Sequence, residues 1–153
     1  MTLSNATAPR DRPSPIIDAT SRGFWEAASH GELAIQRCGQ CRRLQHPPRP
    51  VCPECGATDL MFERMSGDAT LLSWTMTHRS VLEQFDDAAP YLCILVELVE
   101  QSGLVLASDY AGIDVDPAEL RVGAAMRVTF PAAGEQVTVL PQFRLMRGSG
   151  AVD

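Results

Sequence analysis

Cys38-Gly-Gln-Cys41-Arg-Arg-Leu-Gln-His46-Pro-Pro-Arg49-Pro-Val-Cys52-Pro-Glu-Cys55-Gly56 is the stretch that decides how the first half of this chain folds. It holds two C-x2-C turns with ten residues between them. Each such turn points both thiolates at one centre, and two turns on adjacent hairpins complete a tetrahedron around a single ion. The spacing therefore predicts that Cys38, Cys41, Cys52 and Cys55 bind one metal ion. Four thiolates leave no open coordination position, so the ion is structural. Zinc suits paired hairpins around one ion, while four-sulfur iron shares the geometry and stays open as the alternative. Two disulfides are the competing reading, disfavoured where thiols stay reduced. A module this small cannot bury a core of its own, and a metal supplies on the order of 10 kcal/mol toward folding it. Arg37, Arg42 and Arg43 flank the negative four-thiolate cluster and can offset its charge.

Outward from the cysteines, Leu33 to Gln36 reads as a strand entering the first turn. Arg43 to His46 reads as its return, and Leu60 to Met65 as the strand leaving. Pro47-Pro48-Arg49-Pro50 is a stiff connection, and Gly56 can take the positive φ such a turn demands. Upstream, Asp18 is an N-cap for a helix through Phe24, Trp25 and Ala28, ended by His30-Gly31. Phe24 and Trp25 either dock that helix or line a ligand or partner surface. Beyond Ser66-Gly67-Asp68 the pattern is β. Candidate strands run from Thr70 to His78, with Leu72, Trp74 and Met76 at period two, and from Tyr91 to Leu98. Three more run from Leu104 to Ser108, Met126 to Phe130 and Glu135 to Leu140, and a short helix over Asp116 to Leu120 starts at Pro117. Five strands with one helical insertion predict a small closed barrel, led by the oligonucleotide/oligosaccharide-binding (OB) type, with a sandwich as the alternative. The expected organisation is a tail over 1–17, helix and ribbon over 18–65, barrel over 66–145 and a C-terminal tail over 146–153.

The 153 residues carry 13 Lys+Arg, all of them Arg, against 19 acids. Up to Met65 there are eight Arg and seven acids, a balance of +1; beyond it five Arg face twelve acids, a balance of −7. Without lysine there is no Schiff-base chemistry. An acidic barrel also makes a poor sequence-independent grip on nucleic acid. No run reaches the 18 or so apolar residues of a membrane helix, and no signal-peptide pattern opens the chain, so a cytoplasmic location is expected. Cys93 sits inside an apolar strand and reads as a packed thiol. His46 and His78 are isolated, His30 sits at a helix end, Asp86 and Asp87 read as solvated, and no nucleophile–base constellation stands out.

A further pattern carries a resemblance. The residues are Gly23-Phe-Trp-Glu-Ala, Gly31-Glu-Leu, Gln36-Arg-Cys-Gly-Gln-Cys41, His46-Pro-Pro-Arg-Pro-Val-Cys-Pro-Glu-Cys-Gly56, Ser66-Gly-Asp-Ala-Thr-Leu-Leu-Ser-Trp74-Thr, Pro90-Tyr91, Val122-Gly123 and Leu140-Pro-Gln-Phe143-Arg. Together they resemble the acyl-CoA-associated zinc-ribbon/OB-fold family, over roughly residues 18 to 145. In one respect the chain departs from the pattern: Arg42 follows the second ligand where many relatives have Gly. The resemblance implies an N-terminal helical segment, a rubredoxin-like ribbon and a C-terminal OB barrel. It also implies a non-catalytic partner of thiolase-like enzymes, meaning thiolases, lipid-transfer-type thiolases or thiolase-fold aldolases, that helps bind acyl-CoA. Tested on the residues, that implication assigns Arg42, Arg43 or Arg49 to the nucleotide end of the CoA. Phe24, Trp25 and Trp74 would line the acyl or pantetheine path. The competing function is a single-stranded nucleic-acid module, because OB barrels and zinc ribbons both hold single strands.

Overall fold

A computed structural model describes residues 14–79, 90–111, 115–130 and 139–146. Among these residues the chain forms one α-helix, a three-stranded sheet and a five-stranded sheet. The helix α1 (Arg22–Ser29) begins later than Asp18 suggested. Asp18 and Ser21 close a turn of their own, in which the Ser21 N–H donates to the Asp18 carboxylate at 2.7 Å and the Asp18 N–H donates to Ser21 Oγ at 3.1 Å. That turn makes Ser21 the N-cap, and α1 then buries Phe24 and Ala28. Gly23 lets α1 lie this close to Phe62, because a Cβ there would meet the Phe62 ring.

The small sheet is the ribbon: β1 (Ala34–Cys38) lies between β2 (Leu44–Gln45) and β3 (Leu60–Arg64), all antiparallel. The large sheet runs β6-β5-β4-β7-β8, where β4 is Asp68–Thr77, β5 Tyr91–Leu98, β6 Val105–Asp109, β7 Ala125–Thr129 and β8 Gln142–Leu145. Its neighbouring strands are antiparallel, and its two edges meet at a parallel bridge between Tyr110 and Phe143, where the Ala111 N–H donates to the Phe143 carbonyl at 2.8 Å. A parallel seam between the third and fifth strands closes a five-stranded barrel and decides against a sandwich. The short helix is a single 3₁₀ turn over Pro117–Glu119, between the third and fourth barrel strands. Asp116 opens it by accepting the Ala118 N–H at 2.9 Å.

Two details differ from the sequence pattern. Leu72 is the extra residue of a β-bulge, where the β4–β5 register shifts between Leu71 and Ser73. The bulge lets Ala69 and Leu71 face the core before it and Trp74 and Met76 lean inward after it. The last barrel strand is Gln142–Leu145; residues 135–138 of the expected strand lie outside the described residues, as do Asp86 and Asp87.

Ribbon and barrel share one core, in which Phe24, Leu33, Ile35 and Leu44 join Leu71, Val96, Leu98, Met126 and Phe143. The β5–β6 turn locks them together. Gln101 donates to the Leu44 carbonyl at 2.9 Å and accepts the Leu44 N–H at 2.8 Å, so its amide pairs with β2 as a strand would. Its neighbour Glu100 accepts from the Ser66 N–H at 2.6 Å and Oγ at 2.7 Å, in the linker between the sheets.

Candidate functional site

The four cysteines of the paired turns converge. Their Sγ atoms all lie within 4.8 Å of one another, with Cys38 to Cys55 and Cys41 to Cys52 at 3.6 Å. Tetrahedral zinc with Zn–S near 2.3 Å places its sulfurs about 3.8 Å apart, so these residues fit one ion. The turns are near copies of each other. The Arg42 N–H donates to the Cys38 carbonyl at 3.0 Å, and the Gly56 N–H to the Cys52 carbonyl at 2.9 Å. Likewise Cys38 N–H reaches Arg43 O at 2.9 Å and Cys52 N–H reaches Ala57 O at 2.8 Å. Arg42 (φ 65°) and Gly56 (φ 76°) hold matching left-handed positions, so an arginine takes here the conformation that glycine takes in the second turn. Cys38 and Cys52 are buried and Cys41 and Cys55 exposed, which sets the ion at the tip of the ribbon.

A cavity of about 620 Å³ lies between the start of α1, the connection after β2 and the seam of the barrel. Phe24, Trp25, Pro47, Pro50, Leu106 and Phe143 form its apolar walls, and the polar lining includes His46, Ser108, Asp18 and Asp109. A smaller groove of about 450 Å³ crosses β4, β5 and β6 beside Trp74 and Cys93, and shares Ala107, Ser108 and Asp109 with the cavity.

Residues 25–60 match the model of the ChsH2 rubredoxin-like zinc ribbon domain, and residues 62–131 match that of the ChsH2 C-terminal OB-fold domain. A DUF35 domain-containing scaffold protein of Methanothermobacter thermautotrophicus is 30% identical over 79% of this chain and 88% of its own length. The chain belongs to the ChsH2/DUF35 family. A probable enoyl-CoA hydratase alpha subunit of Thermomonospora curvata is 35% identical over 87% of the chain, which spans only 40% of that relative. A solved chain described as Ltp2-ChsH2(DUF35) aldolase superposes with a TM-score of 0.74 at 32% identity, over 86% of this chain and 98% of that one.

The DUF35 chain does not gather the six candidate ligand-contacting residues into one place. Phe24 and Trp25 meet edge to face, with centroids 4.8 Å apart, in the wall of the large cavity, whereas Trp74 lines the smaller groove and donates its indole N–H to the Leu120 carbonyl at 2.8 Å. Arg42, Arg43 and Arg49 line neither. Arg42 faces Glu63 at 3.6 Å and Arg43 faces Glu54 at 3.6 Å, while the Arg49 backbone N–H donates to Gln36 Oε1 at 2.8 Å. Arg37 grips Glu63 in two-point fashion at 2.5 and 2.8 Å and donates to the Arg42 carbonyl, so it braces the first turn. His46, isolated in the sequence, lines the large cavity with its ring 5.1 Å from that of Phe24. Its Nδ1 is buried with no partner among the described residues. The one sequence cue to this was its place beside the proline run.

Proposed function

We infer that this chain is a non-catalytic, acyl-CoA-binding accessory subunit that partners a thiolase-like enzyme: a thiolase, a lipid-transfer-type thiolase or a thiolase-fold aldolase. The likeness to the Ltp2-ChsH2(DUF35) aldolase chain, which this chain covers almost end to end, carries the reading. The scaffold-protein relative and the probable enoyl-CoA hydratase alpha subunit support it. On this reading zinc clamps the ribbon and does no chemistry. The exposed Arg42, Arg43 and Arg49 supply the cations that CoA phosphates need, while Phe24, Trp25 and Trp74 offer apolar surface for the rest of the ligand. The nucleic-acid alternative finds no support on the outer face of β5 and β6, where OB barrels hold single strands. Tyr91, Cys93, Leu95, Val105, Ala107 and Asp109 stand there, with no cation among them.

The test is purification of the native chain from its source, with identification of whatever co-purifies, followed by acyl-CoA titration of the complex. A thiolase-like partner and acyl-CoA binding weakened at least tenfold by combined Arg42→Gln, Arg43→Gln and Arg49→Gln are the expected results. Tight, salt-sensitive binding of a single-stranded oligonucleotide without acyl-CoA binding overturns the reading.

A further inference from the structure

The large cavity has a structural origin in the seam that closes the barrel. Along β5 and β6 the Tyr110 N–H donates to Leu92 and the Leu98 N–H to Leu104, so the hydrogen-bonded pairs are 92 with 110, 94 with 108, 96 with 106 and 98 with 104. Antiparallel pairing alternates, and residues between such pairs turn their backbone groups away from the partner strand. The Ala107 N–H and C=O therefore face away from β5, toward the seam. At Ala111 the same edge is satisfied by Phe143, in parallel register. One step further along, the facing chain is Leu140-Pro141. Proline has no N–H to give, and among the described residues no backbone bond from this chain reaches Ala107. Ser108 Oγ donates across the seam to the Pro141 carbonyl at 2.8 Å, and beside that bridge the seam opens into the cavity at Ala107.

Charge narrows what fits. Among the described residues no cation lines the cavity, and Asp18 and Asp109 do. These residues offer a phosphate no counter-charge, and a charged ammonium would meet mostly apolar walls. The open edge asks for a chain that both donates and accepts hydrogen bonds along an extended backbone, and the walls ask for an aliphatic one.

We propose that the uncharged pantetheine arm of an acyl thioester lies in this seam, an amide paired to the Ala107 backbone, completing the barrel edge as a strand would. The nucleotide end stays outside, toward the arginines of the ribbon. This rests on the acyl-CoA reading above and adds which part of the ligand enters, where, and through which atoms.

Calorimetry on the zinc-loaded full chain, alone and with its co-purified enzyme, uses octanoyl-CoA, octanoyl-pantetheine and adenosine 3′,5′-bisphosphate as probes. Octanoyl-pantetheine is expected to bind and to be displaced by octanoyl-CoA but not by the bisphosphate. Ala107→Pro removes the seam-facing N–H at an edge-strand position without breaking a β5 ladder bond, and it should weaken both octanoyl ligands about tenfold. Ala107→Trp, at an exposed position on β6, should fill the seam and abolish octanoyl-pantetheine binding, with zinc content and circular dichroism reporting the fold. Wild-type affinity in both variants overturns the proposal and leaves the acyl-CoA reading standing, as does octanoyl-CoA binding without octanoyl-pantetheine binding. Failure of both octanoyl ligands, with the partner present, overturns both.

Discussion

His46 illustrates what one buried side chain does to the whole. Burial pushes its imidazole down from the usual 6.5 to about 4, because no partner compensates the charged form. The unfolded chain therefore takes up this proton first. Stability is intact above about pH 6.5, falls as pH drops below it, and the loss is complete below about pH 4. Roughly 2.5 pH units at about 1.4 kcal/mol each give a loss of about 3 kcal/mol. His46→Phe should lack that component, so the stability difference between wild type and variant narrows or inverts from pH 7 to pH 4 in urea titrations. Parallel curves would rule it out. Arg42 makes a different point at the same scale. The ribbon turn needs a left-handed residue, and the chain accepts an arginine there because flanking hydrogen bonds to Cys38 O and from Arg37 hold the turn.

At the scale of elements, two contacts fix where α1 and the ribbon sit. Gly23 lets α1 lie against the Phe62 ring of β3, so Gly23→Ala forces one of them to move. A cost of about 1–3 kcal/mol is expected, despite the better helix propensity of alanine, measured as a drop in the denaturation midpoint. No loss would mean the Phe62 ring rotates away freely. Gln101 ties the β5–β6 turn to β2 through both backbone groups of Leu44. Gln101→Ala leaves a buried N–H and C=O unpaired and should cost about 2 kcal/mol. The increase in hydrogen exchange should be concentrated at Leu44 and its neighbours, and uniform acceleration across the barrel would contradict the assigned role. The bulge at Leu72 acts at this level too, turning Leu71 and Trp74 to the same side of β4.

The whole molecule couples metal and barrel through a shared core, since Leu33, Ile35 and Leu44 of the ribbon pack with Leu71, Val96 and Phe143. Removing zinc with a chelator should therefore cost part of the roughly 10 kcal/mol a structural site supplies and lower a single melting transition, not a separate ribbon transition. A barrel that melts unchanged after chelation would show the two to be independent. Much of this was legible beforehand. Cys38, Cys41, Cys52 and Cys55 declare their site because ligand spacing is local chemistry, and the period-two strands declare a β barrel because alternation follows the pleat. The left-handed turn at Gly56 (φ 76°) was equally local. What only the tertiary structure decided depends on pieces far apart in the chain. The parallel seam of Tyr110 with Phe143, the bulge that redirects β4, the reach of Gln101 to Leu44, and the meeting of His46 with Ala107 around one cavity all arise there. None leaves a periodic mark, because each is a contact between elements, and sequence patterns record how an element faces the core but not which neighbour it finds.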